Sequence, residues 1–168
     1  MAETTSEAAT APRWLTGTEQ RAWRNYIEAT TLLLDALDRQ LQQDSGMPHA
    51  YYEILVRLSE AEGRTMRMSE LADSLSSSRS RLSHAVARLE ERGWIRRRAD
   101  PADRRGQWAI LTHEGFAALA AAAPGHVGAV RRQLFDPLTP EDVAALGRIS
   151  DAVRLANTCD DAATGPQL

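Results

Sequence analysis

Apolar residues return every three or four positions from Trp23 to Leu41, through Tyr26, Ile27, Thr30, Leu33, Leu34 and Leu37. Residues so spaced share one helix face, so this stretch predicts a long amphipathic helix from Gly17 to about Gln43, with Thr18 as its cap. Asp44-Ser45-Gly46-Met47-Pro48 breaks the pattern. Ala50, Tyr51, Ile54, Leu55, Leu58 and Ala61 resume it as a second helix, stopped by Gly63. Thr65 to Met68 reads as a short extended link. Two short helical patterns follow, one carrying Leu71, Ala72 and Leu75, the other Leu82, Ala85, Val86 and Leu89, with a serine-rich turn between them. Ser69 and Ser78 suit their N-caps, because each hydroxyl can accept from an N–H one turn in. Gly93 suits the C-terminal stop of the second.

Beyond Gly93 the chain reads as two strands, Trp94 to Ala99 and Gln107 to Thr112, around a polar, basic turn, Asp100 to Gly106. Thr112 can cap a further helix holding Gly115, Phe116, Leu119 and an alanine run to Ala123. Pro124-Gly125 lies inside that pattern and predicts a kink rather than an end. Val127, Val130, Leu134 and Phe135 carry the stripe onward to the break at Asp136-Pro137-Leu138. Thr139-Pro140-Glu141-Asp142 is a helix start with a cap, a proline at the first position and acids in the first turn. Val143, Leu146, Ile149, Val153 and Leu155 follow. The fold class is therefore mainly α with a small β-hairpin: a helix-turn-helix followed by a wing, flanked by helices. Residues 1–16 and 158–168 read as tails, the first rich in Ala, Thr, Ser and Glu.

At 168 residues the chain is long enough for one domain with a proper core. Its net charge of −3 and pI near 5.8 look unlike a nucleic-acid binder. The charge is segregated, however: residues 79–105 hold nine arginines against Glu90, Glu91, Asp100 and Asp103. Local field, not total charge, governs attraction to phosphate. The one cysteine, Cys159, has no partner for an internal disulfide. His49, His84, His113 and His126 are scattered, so no metal or other cofactor is expected. There is no phosphate-cradling glycine loop after a strand and no nucleophile elbow, which argues against an enzyme. No apolar run spans a membrane and no signal peptide opens the chain, so the expectation is a soluble, cytoplasmic protein.

The polar face of the second short helix carries Arg79, Ser80, Arg81, Ser83, His84 and Arg88, with no acid before Glu90. A solubilising face mixes signs. A face of arginine, serine and histidine suits a major groove lined with phosphates and acceptor atoms.

These motifs together resemble the MarR family of winged-helix transcriptional regulators, from about Trp23 to Leu155. The most specific piece is Asp100-Pro101-x-Asp103-Arg104-Arg105 followed by Ile110-Leu111-Thr112 and Gly115. The second is Leu89-Glu90-x-Arg92-Gly93-Trp94-Ile95. Ala123-Pro124-Gly125-His126-Val127, with Arg131 and Leu134-Phe135-Asp136, also looks like a version of the family's fifth helix. The resemblance implies a homodimer in which the N-terminal helix (17–46) and the last helices (114–157) interlock with those of a second copy. Residues 47–113 would be the DNA-binding unit. The unpaired apolar stripes fit this; helices covering one another within a monomer would be the alternative.

By this resemblance, the partner is a double-stranded, pseudo-palindromic operator, bound as by a repressor. The helix from about Arg79 to Arg92 would lie in the major groove. Arg81 and Arg88 could each donate two bonds to a guanine, and Ser80, Ser83 and His84 could donate to acceptors nearby. The family often has arginine where His84 stands. Ser78 would cap the helix and lie near phosphate. Arg105 would enter the adjacent minor groove, held by Asp103, with Arg104 at phosphate. Arg96, Arg97 and Arg98 alternate on a strand and belong to structure or to the general field. A small aromatic or anionic effector would sit between the dimer helices and the DNA-reading lobe, with Trp23, Tyr26, His49, Tyr51 and Tyr52 as candidate lining. The rival function is a winged-helix module that binds protein; it would show apolar or acidic residues where Arg79, Arg81 and Arg88 stand.

Overall fold

The computed structural model describes residues 12–100, 103 and 106–159. Helix α1, Gly17–Ser45, begins at a reciprocal cap: Glu19 N–H donates to Thr16 Oγ1 at 3.3 Å and Thr16 N–H donates to Glu19 Oε2 at 2.7 Å. Thr16 is therefore the cap, not Thr18. The reason lies three residues on: Glu19 can return a bond to Thr16, whereas Arg21, three beyond Thr18, has no acceptor. Helix α2, His49–Glu60, is tied to α1 where His49 N–H donates to Asp38 Oδ1 at 2.8 Å. It ends at Glu60, ahead of the expected Gly63, which instead shapes a single tight turn, Glu62–Arg64.

The expected link before the next helix is a third strand. β1, Thr65–Arg67, pairs antiparallel with β3, Gln107–Leu111, which also pairs with β2, Ile95–Ala99, in the order β1-β3-β2. Three residues are too few to show an alternating pattern, so a two-stranded hairpin was all the sequence displayed. Helix α3, Met68–Ser74, starts directly after β1, and Arg67 N–H donates to Glu70 Oε2 at 3.3 Å. Ser69 thus lies inside the first turn and does not cap it.

Helix α4, Arg79–Glu91, is capped by Ser78, whose Oγ accepts from Arg81 N–H at 3.3 Å. It stops at Gly93, whose φ of +73° few side chains tolerate. There Gly93 N–H donates to Glu90 O and Trp94 N–H to Leu89 O, both at 2.9 Å. Helix α5, His113–Val130, is capped by Thr112 and passes through Pro124 without ending. A single wide π-turn, Arg131–Phe135, follows it, a departure that the apolar spacing did not reveal. Helix α6, Pro140–Cys159, opens on Thr139, which exchanges bonds with Asp142, and runs just past the expected boundary at Thr158.

The core joins the end of α1 to the helix-turn-helix and its sheet. Leu41, Leu55, Leu58, Leu71, Leu82, Val86, Leu89, Ile95 and Ala109 are each at most 2% exposed. At about 1.5–3 kcal/mol for each large side chain, this burial fixes α4 by its inner face and leaves its outer face to solvent. The first half of α1 and most of α6 differ. Trp23, Tyr26, Ile27 and Leu34 on α1, and Val143, Ile149, Val153 and Leu155 on α6, are exposed. No helix among the described residues is long and apolar enough to cross a membrane.

One buried polar cluster joins α2 to α5. The His126 ring lies 4.4 Å from Tyr52 and 5.5 Å from His49, and its Nδ1 has no hydrogen-bond partner among the described residues. Burial, with His49 beside it, holds the His126 pKa below that of a free imidazole. The unfolded chain then takes up this proton first, near pH 6.5. The neutral ring's contribution is complete above about pH 6.5 and is lost as pH falls below it. Urea midpoints compared at about pH 7.5 and about 5.5 should drop for the wild type and drop less for His126→Phe; equal drops would contradict this role.

Candidate nucleic-acid interface

The inward anchoring of Leu82, Val86 and Leu89 decides where every other α4 side chain points. At about 100° per residue, Ser80, His84 and Arg88 lie opposite that buried seam. Arg79 and Ser83 flank it on the side of the wing, and Arg81 flanks it on the other side. All six are exposed. Ser78 is occupied in capping, as expected; Ser78→Ala should cost about 1 kcal/mol of stability, read from denaturant midpoints.

Arg88 is not fully at liberty on this face. Its Nη1 donates to Glu91 Oε2 at 2.9 Å, both side chains being largely in solvent. Such an exposed pair is weak and yields to a stronger acceptor. Glu90, by contrast, turns away from the face towards the sheet. It accepts from Arg97 N–H at 3.1 Å and Arg97 Nε at 2.8 Å, which lowers the Glu90 pKa. Arg97 is thus structural and ties α4 to β2, while Arg96 and Arg98 are exposed on the same strand. This alternation matches the strand reading.

The wing rises from β2 and β3. Asp100 N–H donates to Gly106 O and Gly106 N–H to Asp103 O, both at 2.9 Å, closing its root. Arg104 and Arg105 lie outside the described residues. A concavity of about 440 Å3 separates the wing root from α4, lined by Arg67, Ser69, Arg79, Ser83, Asp103 and Gln107 among others. It brings the wing's Asp103 and the α4 residues Arg79 and Ser83 around one space. Arg67 and Gln107 were not singled out in the sequence. Arg67 is 33 positions from the carboxylate it pairs with, Asp100, at 2.6 Å, and no local pattern signals such a pair.

Of the candidate effector residues, Trp23 and Tyr26 stand exposed on α1, while His49 and Tyr52 meet around His126. A separate cavity of about 450 Å3 lies between the end of α1, Trp94 and α5. Asp44, Met47, Ala122 and Gly125 line it, and none of those four candidates does. Tyr51 lies instead under Arg92, whose Cζ is 5.8 Å from its ring centre. No cluster of three metal-ligating side chains occurs among the described residues.

This arrangement has close counterparts. The family model for the MarR family matches residues 45–106. Sco3205, a MarR family transcriptional regulator from Streptomyces coelicolor solved in complex with DNA, is 60% identical. That match covers 85% of this chain and 90% of that one, with a TM-score of 0.81. The chain belongs to the MarR family. A second MarR family regulator from the same organism, AbsC, is 44% identical over 85% of this chain and 99% of its own, with a TM-score of 0.77. The transcriptional repressor MprA of Escherichia coli strain K12 is 33% identical over 92 residues, which is 55% of this chain and 52% of that protein. The chain therefore spans about half the length of the curated relatives it matches. As a MarR member it has the winged helix-turn-helix fold, and the named relatives are transcriptional regulators.

Proposed function

We propose that this MarR protein is a transcriptional regulator that binds a pseudo-palindromic DNA operator as a homodimer and acts as a repressor. The observation that carries the reading is the outer face of α4: Arg79, Ser80, Arg81, Ser83, His84 and Arg88 are all exposed on a helix whose other side is locked in the core. Ser80 and His84 stand outermost and would face base edges, with Arg79 and Arg81 reaching bases or phosphates on either side. Arg88 would exchange Glu91 for a guanine or phosphate. The wing would carry Arg104 to phosphate and Arg105 into the minor groove, with Asp103 as its brace. The relative solved with DNA supports this assignment, as does the absence of apolar or acidic residues at positions 79, 81 and 88.

The homodimer is supported by the exposed stripes of α1 and α6, which no described residue of the same chain covers over Trp23, Tyr26, Ile149 and Val153. Water contact along both helices is unfavourable, and a second copy removes it. Two α4 helices would then read half-sites about one helical turn apart. The cavity between α1, Trp94 and α5 is where a small effector would bear on both lobes.

Footprinting on the DNA flanking the gene tests the reading. An inverted repeat should be protected in two successive major grooves and in the minor grooves beside them. Arg105→Ala should weaken binding by about 1–3 kcal/mol and remove the minor-groove protection, with an unchanged circular dichroism spectrum. Unaltered affinity would take the wing out of the mechanism.

A further inference from the structure

Arg67 belongs to neither element assigned to DNA, yet it joins them. It is the last residue of β1 and lies opposite Trp108 in the sheet register. Its side chain crosses the face of Trp108, with Cζ 5.0 Å from the ring centre, and places Nη2 2.6 Å from Asp100 Oδ2. Asp100 follows β2, so Arg67 reaches over the central strand from one edge of the sheet to the other. The Asp100 side chain is only 5% exposed.

That carboxylate is the floor of the wing. Asp100 and Gly106 close the root by a backbone bond, and Gly106 packs so tightly that a Cβ there would lie 3.0 Å from Asp100 Cβ and 3.1 Å from Asp103 Oδ2. Asp100 and Asp103 thus both crowd the same glycine at the wing root. On its other side Arg67 is one residue from α3, which packs beneath α4, and its N–H is held by Glu70. The ion pair and the stacking on Trp108 together hold Arg67 across the sheet before DNA arrives.

From this geometry we infer that Arg67 is a positioning residue for DNA binding: by gripping Asp100 across Trp108, it sets the wing's angle to the reading helix. The inference rests on the DNA-binding reading above. Its physical rival is a direct contact, since Arg67 is 38% exposed and shares the concavity with Arg79 and Ser83.

Arg67→Gln keeps the stem over Trp108, and Asp100→Asn keeps the shape of the floor, so both should fold. If Arg67 positions the wing, each variant weakens operator binding about tenfold, and the double variant loses no more than either single. The salt dependence of binding stays that of the wild type. Hydroxyl-radical protection of the minor grooves fades, while methylation protection in the major groove persists. Wild-type affinity in Asp100→Asn would overturn the inference alone. So would losses that add, with a salt slope reduced by about one in Arg67→Gln, because that is the signature of a phosphate contact. A wild-type protein that binds no duplex would overturn the DNA reading, and this inference with it.

Discussion

Gly115→Ala is expected to destabilise the fold by about 3 kcal/mol, lowering the melting temperature by about 10 °C. A Cβ at this position would lie 2.1 Å from the Trp94 carbonyl oxygen and 2.9 Å from Leu111 Cδ1. The carbonyl cannot step aside cheaply. It already accepts from Thr112 N–H at 3.0 Å and from Thr112 Oγ1 at 3.1 Å. Thr112 in turn caps α5 through Gly115 N–H at 3.0 Å. The added methyl would thus push α5 off the start of β2 and break the cap that begins it. Because α5 packs on α1, the damage would reach the join between the two lobes. Differential scanning calorimetry at neutral pH checks it; an unchanged melting temperature would mean that α5 and Trp94 are not in this contact.

A double substitution on α6, Ile149→Glu with Val153→Glu, is expected to give a folded monomer whose operator affinity is at least about 100-fold lower. The two residues are one turn apart on one face and are 58% and 46% exposed, so the change removes little from the core of the chain. What it removes is the apolar surface offered to a second copy. A lone protomer reads one half-site and forfeits the gain from joining two. Sedimentation velocity with matched circular dichroism would report the monomer, and titration with a palindromic duplex the loss. A dimer that persists with full affinity would place the interface elsewhere.

What the sequence showed, and what it hid, follow from the range of the interactions. Helices with long apolar stripes were legible, and so were Ser78, Gly93 and Thr112, because a cap or stop is written within four residues. The exposed face of α4 was legible for the same reason: once Leu82, Val86 and Leu89 face inward, geometry sends Ser80, His84 and Arg88 outward. The cap of α1 was misplaced because Thr16 and Thr18 both precede the stripe, and only Glu19 distinguishes them. β1 was missed because its identity as a strand depends on pairing with β3, more than 40 residues later. The Arg67–Asp100 contact was missed for the same reason. Helix α6 illustrates the converse: its stripe was plain in the sequence, and the described residues leave it uncovered.

Fluorescence anisotropy of a labelled duplex from the flanking promoter, titrated with the protein across a salt series, tests the central claim most directly. Cationic side chains that neutralise phosphates release counterions, so affinity should fall by about a thousandfold between about 50 and 200 mM salt while one dimer occupies each duplex. Absence of binding at the lowest salt, or an affinity indifferent to salt, would contradict the assignment of the arginine-bearing face of α4 and the wing to DNA.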